Sequence, residues 1–148
     1  MRYLAFALIL VVACGDGPVD PEPEPYINLG GVFALVHAEP SEPWARSCPG
    51  GSPVPMRFEG GSLTLTDTAI DPAVPDPAEI RLTLFAACGA DTTRAFGLGY
   101  GDYLARADSL LFSGWLGAVI PENGTHDQNN MSIPAAWNGT DYAFGFSR

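Results

Sequence analysis

The 148-residue chain contains seven basic residues, all arginine, against seventeen acids, giving a formal net charge of −10. A domain of this charge is repelled by phosphate backbones and anionic lipid surfaces, which excludes nucleic-acid binding. No GxGxxG, Walker, CxxC, HExxH or GxSxG pattern occurs, so the sequence offers no signature of a cofactor, a structural metal or a hydrolase.

Met1-Arg2 gives a positive start, and Tyr3 to Val12 is an unbroken apolar run. That run is too short to cross ~30 Å of hydrocarbon, which takes roughly 20 helical residues. It suits the h-region of a signal peptide spanning residues 1–13. The run ends Val11-Val12-Ala13-Cys14, which resembles the lipobox of bacterial lipoproteins. The resemblance implies that Cys14 receives a diacylglyceryl group and becomes the mature N-terminus. It also implies a bacterial cell envelope protein whose membrane partner is engaged through that lipid. Gly15, rather than Asp, follows the cysteine, so the outer membrane is the expected address. Several acyl chains at ~0.8 kcal/mol per buried CH₂ anchor firmly.

Gly15 to Pro25 reads GDGPVDPEPEP. Proline fixes φ and like charges repel, so residues 14–25 form an extended tether. The remainder, residues 26–148, is one domain's worth of chain.

Eight runs bounded by Gly, Pro, Asn or Asp follow in order. Gly31–Ala38 is apolar on both faces. Met56–Asp67 alternates at Leu63 and Leu65, with Gly60-Gly61 expected to form a bulge. Glu79–Cys88 puts Ile80, Leu82 and Leu84 on one face. Thr93–Leu104 sets Phe96, Leu98 and Tyr100 against Gly97, Gly99 and Gly101. Asp108–Ser113, Trp115–Ile120 and Met131–Trp137 are the next three strands. Asn138-Gly139 is a hairpin signal, since both positions tolerate φ > 0. Asp141–Arg148 alternates Tyr142, Phe144 and Phe146. Tyr103–Leu111 also carries helical spacing at Leu104, Ala107 and Leu111; strand–turn–strand is the reading taken because Gly101 and Gly114 bracket it. Eight antiparallel strands suffice to close a sheet on itself. The expected fold is therefore all-β: an eight-stranded antiparallel up-and-down barrel.

The order of a G-x-aromatic strand, Gly61-Ser62-Leu63-Thr64-Leu65, a G-x-Y-turn-S-L-x-F segment and a terminal Y-x-F-x-x-R is similar to lipocalin-like barrels of envelope lipoproteins. Lipocalins proper begin G-x-W, whereas Gly31-Val32-Phe33 carries Phe. The resemblance implies that Arg148 packs over Phe33 at the closed end. It also leaves two readings of the interior: a cavity for a small apolar ligand, or a barrel filled by its own side chains and serving as a structural or protein-interaction module. Gly97, Gly99, Gly101 and Ala86 would leave space; Phe33, Leu82, Phe144 and Phe146 would fill it.

Cys48 and Cys88 are the cysteines that remain. Outside the cytoplasm a disulfide is expected, and an up-and-down meander brings the loop after strand one to the end of strand three. The same counting places Trp44, Trp115 and Trp137 at the end opposite the tether, with Arg46 and Arg94. They form either a lid or a mouth for an anionic amphiphile. His37 reads as a packed or rim residue. His126, in the polar connection Pro121–Asn130, reads as part of a solvated loop, because Asp127, Asn129 and Asn130 lack calcium-loop spacing. Ser52 and Ser62 sit beside glycines without a strand–elbow–helix setting, so no enzyme is expected.

Overall fold

The computed structural model of the chain describes residues 27–68 and 73–148; the expected signal peptide, Cys14 and the expected tether lie outside them. Among the described residues there is no helix. The strands are β1 (Gly31–Glu39), β2 (Ala45–Arg46), β3 (Val54–Pro55), β4 (Arg57–Leu65), β5 (Asp76–Cys88), β6 (Asp91–Arg106), β7 (Ser109–Gly117), β8 (Val119–Pro121), β9 (Gly124–His126), β10 (Asn130–Trp137) and β11 (Thr140–Ser147).

The neighbours β1, β4, β5, β6 and β7 pair antiparallel in sequence order. The short strands β8 and β9 lie one after the other along β10, and β9 also pairs with β7. β10 pairs with β11, and β11 pairs back to β1 from Ala34↔Ser147 to Glu39↔Ala143. The result is a closed eight-stranded antiparallel barrel, which removes sheet edges from this part of the chain. The two remaining strands, β2 and β3, form a separate two-stranded sheet in the long β1–β4 connection.

Alternation explains the inside. On β5, Ala78, Ile80, Leu82, Leu84 and Ala86 are buried, and on β11 so are Tyr142, Phe144 and Phe146. Each large side chain withdrawn from water contributes about 1.5–3 kcal/mol. Leu29 is fully buried and Ile27 packs on the same core, so the barrel's own chain begins by Ile27. The β4 bulge falls between Phe58 and Gly60, one residue before the expected glycine pair. Asn138 and Gly139 both have positive φ, 53° and 76°, as the hairpin between β10 and β11 requires.

Tyr103–Leu111 is strand–turn–strand: Tyr103–Arg106 pairs with Ser109–Phe112 across a tight turn. Two expectations nearby are corrected. Trp115–Ile120 is not one strand, because Trp115 to Gly117 completes β7 and Val119 begins β8. Gly114, read as a strand end, has φ 60° and sits where the β6–β7 register slips between Tyr100 and Asp102. A glycine inside a bulge bends a strand without ending it, and the chain turns only at Gly117, φ 120°. The polar connection Pro121–Asn130 also contains a strand, β9. His126 within it is buried, its backbone N–H donates to the Asp108 carbonyl at 2.9 Å, and its Nε2 lies 3.3 Å from the Arg106 carbonyl. The polar composition of the segment belongs to its outward residues.

Candidate functional site

The candidate site is the barrel interior together with the end where the tryptophans were expected. A continuous line of rings runs through it. Trp44 meets Trp137 edge-on at 5.0 Å between centroids. Trp137 lies 6.2 Å from Phe58, and Phe58 packs edge-on against Tyr142 at 5.8 Å and Phe144 at 5.6 Å. Tyr142 and Phe144 stack at 5.2 Å, and Phe144 reaches Phe146 at 6.2 Å. Edge-on and offset contacts of this kind add about 0.5–1.5 kcal/mol per pair beyond area burial.

The inward glycines of β6 do not leave a cavity. A Cβ on Gly97 would stand 2.7 Å from the Trp137 ring. A Cβ on Gly99 would stand 2.4 Å from Trp115 Nε1, and one on Gly101 2.6 Å from Trp115 Cε3. The space that small residues vacate is taken by two indoles from β7 and β10. Both sets of residues point inward, but the room beside the glycines is filled by Trp115 and Trp137 and not by the phenylalanines expected to fill it.

Trp44 and Trp137 converge, as the meander requires. Trp115 joins them only through Val119: its indole N–H donates to the Val119 carbonyl, and Val119 is the ladder partner of Trp137. The ring partner of Trp115 is Phe112, at 5.4 Å and nearly perpendicular. Trp137 is buried, while Trp44 and Trp115 are half-buried. Phe58 was not singled out from sequence, and Phe112 only as the last residue of the S-L-x-F segment, although each is an aromatic next to a strand register slip.

The Cys48–Cys88 disulfide is present, with Cα atoms 5.4 Å apart. It fastens the β1–β4 connection, which carries Trp44 and the β2–β3 pair, to the end of β5. The Met56 N–H donates to the Trp44 carbonyl at 2.8 Å, returning the chain to the wall just below the cap.

Arg94 is on the outer surface, where its Nε and Nη2 donate to both oxygens of Glu59 at 2.7 and 2.8 Å. That contact lowers the Glu59 carboxyl below its usual range, first through the hydrogen bonds and then through charge. Arg46 is exposed on β2, with no ion-pair partner among the described residues. His37 is exposed at the β1 bulge. Among the described residues no group of three or more His, Cys, Asp or Glu is placed to hold a metal ion. Burial raises the Tyr142 phenol above its ordinary value.

At the opposite end Arg148 lies over Phe33, its guanidinium carbon 4.7 Å from the ring centroid, as the lipocalin resemblance implied. The same guanidinium donates to the Gln128 carbonyl at 2.7 and 3.1 Å and to the Gly30 carbonyl at 3.4 Å. One side chain thereby joins the first residues of the barrel, its last residue and the β9–β10 turn.

Comparison with known proteins found no matching family model, curated protein or solved structure.

Proposed function

We propose that this chain is an envelope lipoprotein, anchored through Cys14, whose lipocalin-like barrel is a filled structural and protein-interaction module. The observation that carries the choice over a ligand carrier is the occupied interior: Trp115 and Trp137 stand against the three glycines that would otherwise open a cavity. A ligand carrier needs a largely preformed apolar pocket. A barrel packed with its own rings is instead a rigid body that presents its outer surface.

The anchoring half of the proposal is tested in cells with globomycin, which should accumulate an uncleaved precursor. Unchanged processing, or a product released as a soluble protein, would refute it. The interior half is tested by titrating fatty acids while following tryptophan emission and thermal stability. Neither should change; a saturable shift in both would restore the ligand carrier, with Trp44, Trp115, Trp137, Arg46 and Arg94 as the first residues to examine.

A further inference from the structure

We propose that the outer face of β6 binds a second copy of this chain, which deepens the reading of the barrel as an interaction module and rests on it. Phe96, Leu98 and Tyr100 point outward from β6 with 72%, 43% and 51% of their surface exposed. Leu116, 59% exposed, is the ladder partner of Tyr100. Ile120, 52% exposed, follows Val119, which packs against Gly97 and Gly99. Most of the large apolar side chains that the described residues expose are therefore gathered on one face. Contiguous apolar surface of this kind marks a contact site, whereas scattered exposed residues do not.

The face is stiff. β6 is paired to β5 from Asp76↔Tyr103 to Cys88↔Asp91 without a register slip, and Trp115 and Trp137 press on its inner side. Little ordering entropy is lost when such a surface docks. Its barrel is closed, so association has to be face to face and not strand to strand. The five side chains offer on the order of 500 Å² per copy, and a pair reaches roughly the 1,000 Å² that a specific interface requires.

Charge sets the occupant and the arrangement. Two arginines border the face and both are paired: Arg81 on β5, opposite Leu98, with Glu79, and Arg94 on β6, two residues before Phe96, with Glu59. At the other end of the same outward row of β6 Asp102 is exposed, as is Glu122 beyond Ile120, and neither has an ion-pair partner among the described residues. A two-fold axis across β6 at Leu98 lays Asp102 of each copy on Arg94 of the other, since the two stand four residues to either side of Leu98 in the same strand. The Arg94 N–H groups that Glu59 does not take then face a carboxylate. A bilayer fits this face less well, since it is bordered by the charged residues of β4 and β5 and by those acids.

The test uses the full chain, expressed and processed in cells, with benzoylphenylalanine replacing Leu98 or, as a control on the outer face of β4, Thr64. Irradiation should give an adduct of twice the chain's mass from position 98 and none from position 64. Adding Phe96→Glu should lower the self-adduct by roughly tenfold, as loss of a central aromatic anchor implies, while the Cys48–Cys88 bond still forms. Self-adducts equal at both positions, adducts at 98 only to another protein or to lipid, or no adduct at 98, would each overturn the proposal. The filled interior would be untouched by any of these results, because it is read by the fatty-acid titration.

Discussion

At one end of the barrel the core is covered by Trp44, carried on a loop that Cys48 fastens to Cys88. At the other it is covered by Arg148, lying on Phe33 and held by two main-chain carbonyls. The difference follows from how far each cover has to travel. Trp44 belongs to the β1–β4 connection, whose Cys48 bonds a residue 40 positions further along the chain; closing a loop of that length loses considerable entropy, so a covalent staple is effective there. Arg148 is already beside β1, because Ser147 pairs with Ala34, and one guanidinium is enough to finish the seal.

The comparison can be broken first at the capped end. Trp137→Ala removes the ring on which Trp44 and Gly97 both rest and should destabilise the domain by about 3–5 kcal/mol in chemical denaturation. Replacing Cys48 and Cys88 together by alanine should cost about 2–4 kcal/mol. It should also increase hydrogen exchange over the β2–β3 segment, leaving exchange near Arg148 unchanged. A uniform rise across the barrel would show that the two ends are not independent.

Between the ends, Gly99→Ala forces a Cβ against Trp115 Nε1 and the Val119 carbonyl, at 2.4 and 2.2 Å. Overpacking of this kind should cost about 1–3 kcal/mol; an unchanged melting temperature would mean that Trp115 is free to leave. Arg148→Ala should cost about 0.5–1 kcal/mol if the contact with Phe33 sets its value, and exchange should rise at Gln128 to Asn130 only.

The smallest expected effect is pH dependence. Asp127 is held low by hydrogen bonds from the Asn130 side chain and backbone, and its turn presents the Gln128 carbonyl to Arg148. A depressed carboxyl stabilises the folded state above its ordinary value of 3.8 and stops doing so as pH falls through the lower folded value. Acidification below that range should loosen the Arg148 end before the disulfide end, as read by amide exchange at Asn129 and Asn130.

Strand order, the hairpin at Asn138-Gly139, the disulfide and the Arg148–Phe33 contact were legible because each rests on period-two alternation, turn chemistry, the meander topology that brings two cysteines together, or a resemblance to a known barrel. The β7–β8 junction was not, since a glycine that bends a strand and a glycine that ends one look alike in sequence. His126 was misjudged for a related reason: in a short strand with polar neighbours, one inward residue carries no alternation signal. The state of the interior was hidden as well. Alternation shows that Gly97, Gly99 and Gly101 share a face, but only the folded register reveals that Trp115 and Trp137 reach across to occupy it.

The proposed filled interior is tested most directly by native mass spectrometry of the full chain isolated from the cells that make it. The prediction is the mass of the polypeptide with one disulfide, together with the proposed lipid on Cys14, and no retained small molecule. A stoichiometric non-covalent ligand, surviving purification and released on unfolding, would contradict it.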